Sequence, residues 1–484
     1  MEIDVSGGPV EDLSADTIAI AVADPADELP AGVDELWTLV ASGEAPAARG
    51  MARLVHVNGR RLVAAGVGPR GAIDADAIRD AAAAAALEVR GTVGGSLAWM
   101  LDPSLGDLEQ QARAVVEGIV IGGYDPGGWK TTTGRKSLDR LTLVSEQGLA
   151  EAAHRAGIVA EWTNHARELA NRPPNDLTPV RLAEHAAGIA SRFETLTSSA
   201  LGPEEMSERG MGAILAVGQG SHNEPRMLLM RYEPSWPTQP DVVLGLVGKG
   251  MTFDTGGISL KKREYMEDMK GDMAGGGAVV AAMGAIAELG LQVRTIAVVG
   301  AAENMPGGAS YRPGDILTAM NGKTIEVTDT DAEGRIVLAD ALAYAREEGA
   351  THILDLATLT GAMERALGDL YAGVFGNDPA WRDEVVAAGE ASGDHAWPLP
   401  LHPRFHRFID SAYADMKNHN IRAQAIPAYA AEFLREFAGE GPWAHIDMAG
   451  TGFLTWSRGD YLSQKGGTGY GVRLIVELAS RLAG

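Results

Sequence analysis

The residues most able to do chemistry lie between Val247 and Arg335. Lys249 and Asp254 sit in the glycine-rich stretch Val247-Gly248-Lys249-Gly250-Met251-Thr252-Phe253-Asp254-Thr255-Gly256-Gly257. Its glycines are expected to turn the chain sharply at a strand end and to bring Lys249 and Asp254 to one edge. Asp272 precedes the run Gly275-Gly276-Gly277 at the entry to a helical segment. A carboxylate there serves either as a cap facing the helix dipole or as a ligand. Asp329, Asp331 and Glu333 fall at alternate positions before Gly334 and Arg335. In an extended stretch such side chains point the same way. Like charges so placed must protonate, face water or hold a cation. The triplet lies between apolar segments, which favours the cation over a solvated acidic loop.

Asp254, Asp272, Asp331 and Glu333 contain no histidine among them. Such a set suits hard, oxygen-preferring divalent cations, and bridging carboxylates suit a pair of them. Spacing excludes the competing chemistries. A phosphate-cradling loop needs Ser or Thr after its lysine, and Gly250 follows Lys249. None of the 11 histidines forms a His-Glu-x-x-His pair, and no Gly-x-Ser-x-Gly elbow is present. With 0 cysteines, a thiolate zinc site, a disulfide or a thiol nucleophile is impossible.

These residues need a scaffold that gathers distant segments. Residues 242–247, 292–299, 352–356 and 445–448 read as short buried strands, and 277–289, 336–348, 428–437 and 471–482 as helices. That alternation predicts a catalytic α/β domain with a mostly parallel central sheet, with ligands beyond the carboxyl ends of its strands. Upstream, residues 17–22 and 140–144 read as strands. Residues 53–57 and 61–65 read as a hairpin around Asn58-Gly59. Residues 78–87, with the alanine run Ala81–Ala86, and 110–122 read as helices. The expected organisation is a smaller N-terminal α/β domain over 1–149, a connecting helix over 150–170 that stops before Pro173-Pro174, and a catalytic domain over 171–484.

Composition bounds the rest. The chain has 484 residues, 45% hydrophobic and 22% charged, enough to bury a real core. Lys+Arg 41 against Asp+Glu 65 leaves a net charge of −24, which opposes binding to nucleic acid or anionic lipid. Met1-Glu2-Ile3-Asp4 lacks the basic start of a signal peptide, and no apolar run approaches the ~18 residues of a membrane helix. A cytoplasmic protein with no membrane partner is the expectation.

The run Asp331-Ala332-Glu333-Gly334-Arg335 resembles the signature of the leucine aminopeptidase (cytosol aminopeptidase) family. Similar matches are Asn171-Arg172-Pro173-Pro174-Asn175-Asp176-Leu177-Thr178-Pro179, the Val247 to Gly257 stretch, Ala302-Glu303-Asn304-Met305-Pro306, Arg312-Pro313-Gly314-Asp315, Ala357-Thr358-Leu359-Thr360-Gly361-Ala362 and Pro442-Trp443-Ala444-His445. Together they cover nearly all of residues 150–484 in order. Residues 1–140 are similar only weakly, mostly through Glu117-Gly118 and Tyr124.

The resemblance implies a two-metal aminopeptidase that removes N-terminal residues, Leu and other apolar ones favoured, from peptides. It implies two divalent ions per subunit (Mn2+ or Zn2+, with Mg2+ a third option) and a homo-oligomer, a hexamer of two trimers. Lys249, Asp254, Asp272, Asp331 and Glu333 take the ligand positions, with Asp254 and Glu333 bridging. Ligation by Lys249 needs its neutral amine, which nearby dications favour. Lys261 and Arg335 fill the two non-ligand catalytic positions. The first would stabilise the oxyanion; the second would hold bicarbonate as a proton relay. Met269, Thr358, Leu359 and Gly361 would contribute to the pocket for the first side chain.

Three departures from the family pattern stand out. Asp329 replaces the usual Asn, so it strengthens metal binding, shifts metal preference or merely caps the turn. Lys262 stands where a proline or small residue is common. After Asn418, Arg422-Ala423-Gln424-Ala425-Ile426 replaces a glycine-rich stretch, which alters the far wall of the site. Other readings are weaker. A phosphate-cleaving dinuclear enzyme lacks its basic clamp, DNA binding is opposed by the charge, and an inactive scaffold is opposed by the complete ligand set.

Overall fold

A computed structural model describes residues 1–9, 12–26, 29, 33, 36–132 and 136–484. The chain divides into two units, 1–164 with 457–464, and 165–456 with 465–484. The helix Ala150–Asn171 runs through the division. Nothing in the sequence marks residues 457–464 as part of the first unit. Hydrogen bonding puts them there: Asp80 accepts the Tyr461 N–H at 2.9 Å, and Gln464 donates to the Tyr124 carbonyl at 3.0 Å.

In the first unit β1 (Glu2–Ser6), β2 (Thr17–Asp24), β3 (Ala52–Val57), β4 (Arg60–Pro69), β5 (Gly95–Met100) and β6 (Leu138–Val144) form a sheet in the order β1-β6-β5-β2-β4-β3. Only β3 and β4 pair antiparallel among these neighbours. Asn58 and Gly59 join them at φ 49° and 80°, as a two-residue hairpin of this hand requires. The alanine run lies in helix Ala75–Thr92. It gives helix Leu108–Gly122 a flat face: a Cβ at Gly122 would come within 2.4 Å of the Ala83 Cβ.

The second unit contains β7 (Leu196–Leu201), β8 (Arg226–Tyr232), β9 (Val243–Asp254), β10 (Arg294–Asn304), the short β11 (Ile316–Thr318) and β12 (Thr324–Glu326), β13 (His352–Ala357), β14 (Ala372–Gly376), β15 (Ala396–Pro398), the short β16 (Met416–Lys417) and β17 (Trp443–Asp447). Eight of them form a sheet in the order β15-β14-β17-β13-β9-β10-β8-β7. Its centre, β17-β13-β9-β10, is parallel, as the alternation of strands and helices predicts. Reversed strands flank it, β14 against β17 and β8 against β10. A small sheet, β11-β12-β16, lies outside it.

β9 and β10 run well past their predicted ends, to Asp254 and Asn304. The glycines of β9 therefore do not turn the chain at Lys249. They let helix Ala274–Glu288 press onto the strand. A Cβ at Gly248 would lie 2.6 Å from the Gly276 Cα. That helix is buried from Ala274 to Ala287, apolar on every side as a core helix is. The sharp turn comes only at Gly256 and Gly257, at φ 86° and 66°.

Candidate metal centre

Lys249 and Asp254 are five positions apart, so a regular strand would put them on opposite faces. The pairing with β10 slips between them. Met251 is opposite Ala302 and Phe253 opposite Glu303, which leaves Thr252 as an extra residue. A bulge of this kind re-aims the residues after it. Asp254 thereby joins Lys249 on one face.

Asp272 arrives on the 3-10 turn Met266–Met273 that leads into helix Ala274–Glu288. It does not cap that helix. Its Oδ1 accepts from the Thr358 hydroxyl at 2.7 Å, and its Oδ2 lies 2.9 Å from Lys249 Nζ. Glu333 stands at the N-cap of helix Gly334–Glu347, with Oε1 2.8 Å from the same Nζ. A second lysine completes the cluster: Lys261 Nζ lies 2.7 Å from Asp254 Oδ2 and 2.5 Å from Asp331 Oδ1. Among the described residues, oxygens of Asp254, Asp272 and Glu333 lie within 4.8 Å of one another.

The alternating geometry expected for Asp329, Asp331 and Glu333 is not found. The stretch is a turn, in which Asp329 Oδ1 accepts the Asp331 N–H at 2.9 Å and Glu333 is already helical. Asp329 Oδ2 lies 3.8 Å from His419 Nε2, and the Asp329 side chain makes no ion pair with either lysine of the cluster. Lys262 is exposed and also takes no part in those pairs.

The electrostatics are those of a site short of positive charge. Four carboxylates face two ammonium groups. Burial, only partly offset by Lys249, pushes Asp272 up to about 7. Burial likewise pushes Asp331 up to about 7 against the pull of Lys261, and it raises Glu333. Burial would depress Lys249, but Asp272, Glu333 and Asp254 outweigh it and hold the amine well above its usual range. The same competition raises Lys261. The buried oxygens Asp272 Oδ2, Glu333 Oε1 and Asp331 Oδ1 each face a lysine amine and accept from no other donor. An all-oxygen, charge-deficient set with unfilled lone pairs fits divalent cations.

Neighbours lock the donors. Asp254 Oδ1 accepts from Gly256 N and Asn304 Nδ2, both at 2.8 Å. Lys249 Nζ donates to the Thr358 carbonyl at 3.1 Å. Asp447 accepts from Leu359 N, Thr360 N and, at 2.6 Å, the Thr360 hydroxyl, which pins the turn after β13. Asn304 and Asp447 were not singled out from sequence, although both lie in or beside stretches quoted above. Of the expected pocket residues, Thr358 touches Asp272, half-buried Met269 shares the turn of Asp272, and Leu359 packs on the core. Gly361 is exposed and begins helix Gly361–Leu367.

Arg335 is buried beside the cluster. One terminal nitrogen donates to the Asn418 carbonyl at 2.8 Å, and the guanidinium lies 5.4 Å from the Tyr429 ring centre. Its Nε is buried with no hydrogen-bond partner. An unfilled donor on a buried cation fits an oxyanion.

The family model described as the cytosol aminopeptidase family, catalytic domain, matches residues 164–476, and the N-terminal domain model of the same family matches 19–133. The chain belongs to the cytosol aminopeptidase family. It is a metal-dependent aminopeptidase, a hydrolase of the metallo-exopeptidase type. A probable cytosol aminopeptidase of Roseiflexus castenholzii is 44% identical over 99% of this chain and 98% of its own length. One of Solibacter usitatus is 42% identical over 99% of both. Among solved structures, the bottromycin maturation enzyme BotP in complex with Mn superposes with a TM-score of 0.87 at 33% identity, over 97% of this chain and 100% of that one. Among the described residues no helix is long and apolar enough to cross a membrane.

Proposed function

We propose that this aminopeptidase binds two divalent ions, Mn2+ or Zn2+, through Lys249, Asp254, Asp272, Asp331 and Glu333, and removes apolar N-terminal residues, leucine first, from peptides. The observation that carries this reading is the convergence of two lysines with the buried carboxylates of Asp254, Asp272 and Glu333 and the partly exposed one of Asp331, from four separate chain segments. Bound there, the cations would supply a hydroxide near neutral pH and polarise the scissile carbonyl.

The chain's own groups do the rest. Asp272, held by Thr358, would receive the free α-amine, which an internal peptide lacks. Lys261, fixed between Asp254 and Asp331, would donate to the developing oxyanion. Arg335 would grip a bicarbonate-like anion through its unfilled Nε edge, keeping a proton carrier near the leaving amine. Met269, Thr358, Leu359 and Gly361 would border the first side chain, with mild selectivity on the order of 1–3 kcal/mol per methylene. Lys249 would lose its proton as the cations enter. We further propose a cytoplasmic hexamer.

The test is hydrolysis of leucyl, methionyl and aspartyl anilides, and of an N-acetylated leucyl anilide, across Mn2+, Zn2+ and Mg2+. Turnover of the free-amine apolar substrates with Mn2+ or Zn2+, and none of the acetylated one, is expected. Equal cleavage of the acetylated substrate would exclude the amine-binding role of the site. Light scattering of the same preparation checks the hexamer.

A further inference from the structure

The far wall of the Arg335 site contains a chain of polar contacts that no role above uses. β12 and β16 run parallel, Ile325 opposite Met416 and Glu326 opposite Lys417. This pairing lays Thr328 and Asp329 alongside Asn418 and His419. Asn418 secures the junction, donating to the Asp329 carbonyl at 2.6 Å and accepting the Thr328 N–H at 2.8 Å. Helix Ile426–Arg435 brings Tyr429 in from the other side. The Tyr429 hydroxyl lies 3.0 Å from His419 Nδ1, and the Tyr429 ring faces the Arg335 guanidinium. His419 Nε2 lies 3.8 Å from Asp329 Oδ2, ion-pair range rather than a direct hydrogen bond. The other Asp329 oxygen accepts the N–H of Asp331. One carboxylate thus ties the backbone of a proposed ligand, through His419 and Tyr429, to the catalytic guanidinium.

Proton order along this chain follows from its ends. Burial, followed by the charge of Arg335, holds the His419 pKa below its usual value against the pull of Asp329, which favours the neutral ring. A neutral imidazole carries one N–H. At 3.8 Å the Asp329 carboxylate favours a proton on Nε2 through its charge rather than through a hydrogen bond. Nδ1 is then the acceptor, and the Tyr429 O–H donates to it. The phenol oxygen is left with its lone pairs free toward the cation. We propose that Asp329, His419 and Tyr429 are positioning residues that hold Arg335, and any oxyanion it carries, at a set place beside the carboxylate cluster. The departure from Asn at 329 is, on this inference, the source of that order. In D329N the amide oxygen keeps the Asp331 N–H, so the amide N–H2 must face His419. The ring proton then moves to Nδ1, and the Tyr429 O–H turns toward Arg335 as a competing donor.

This inference rests on the anion-holding role proposed for Arg335, and the experiment separates the two. Bicarbonate is titrated calorimetrically into the Mn2+-loaded enzyme, comparing wild type with D329N, Y429F and R335A; metal content, melting temperature and steady-state kinetics are measured on each. D329N and Y429F are expected to bind bicarbonate at least ten-fold more weakly. Their metal content should be unchanged and their melting temperature near that of wild type. Their kcat should fall while KM stays within two-fold, and raised bicarbonate should restore kcat in both but not in R335A. Wild-type affinity in D329N and Y429F, with binding lost in R335A, would overturn the positioning role and leave that of Arg335 standing. No binding by wild type, or full binding by R335A, would overturn both. A loss of kcat that tracks lost metal or a lowered melting temperature would show the chain to be structural only.

Discussion

The side chain of Lys249 lies against the backbone of Gly334, so close that a Cβ at 334 would fall 2.6 Å from Lys249 Cε and 2.7 Å from its Nζ. Gly334 is therefore small because a neighbour's amine occupies the space. The displaced atoms are the far end of a flexible side chain, so G334A is expected to fold, but with a lowered metal-free melting temperature because Lys249 Nζ is pushed off the buried Asp272 and Glu333. It should bind Mn2+ at least ten-fold more weakly, because Lys249 Nζ must leave Asp272 and Glu333. Melting temperature in chelator and metal affinity by titration check the two halves separately.

Removing Lys249 itself has a different signature. K249M leaves Asp272 and Glu333 buried without the cation between them. Breaking a buried pair this way costs about 3–5 kcal/mol. The metal-free variant is expected to melt well below the metal-free wild type, and Mn2+ is expected to recover part of the difference. A metal-free melting point equal to that of wild type would contradict the charge balance described above.

Lys261 is tied to Asp254 and Asp331 yet partly exposed, with 22% of its side chain accessible. As the proposed oxyanion donor, its loss in K261M should lower kcat about 10²–10³-fold. Metal content, measured on the same sample, should stay at two ions per subunit. A fall confined to KM would assign Lys261 to binding alone.

His165 makes a separable contribution to the pH dependence of stability. Burial, followed by the charges of His185, Arg192 and Arg172, holds its pKa at about 4, below the ordinary 6.5. The unfolded chain takes up that proton first as the pH falls. The contribution of His165 to stability is therefore intact above about pH 6.5, declines below it and levels off near pH 4, a loss of up to about 3 kcal/mol, while Asp272 and Asp331, raised to about 7, act in the opposite sense over the same range. H165Q is expected to remove this contribution, read as the difference in stability between wild type and variant in denaturant melts at pH 7, 5.5 and 4.

Much of the site was legible because its residue types are chemically restrictive. Carboxylates in glycine-flanked segments between apolar strands announce a cation whatever the fold. The parallel core of the sheet followed from the alternation of β-rich and helical runs. Geometry that depends on a non-local partner was not legible. The extra residue at Thr252 exists only against β10, so no local pattern signals that Lys249 and Asp254 share a face. Asp329, Asp331 and Glu333 alternate in sequence, but the Asp329 carboxylate captures the Asp331 N–H and bends the stretch into a turn. The ends of β9 and β10 were missed because glycine and alanine weaken strand propensity. Here Gly248 is required by helix Ala274–Glu288 and Gly300 by Val337 of helix Gly334–Glu347.

The eight residues 457–464 also bear on how the polypeptide matures. The first unit accepts them through Asp80 and the Tyr124 carbonyl, so it lacks a piece until synthesis has passed residue 464. Unlike a protein whose leading domain folds alone during synthesis, this one closes its first unit only after the strands of the large sheet have been made. A fragment ending at residue 164 is for the same reason an incomplete body, and supplying the 457–464 peptide in trans should raise its resistance to proteolysis.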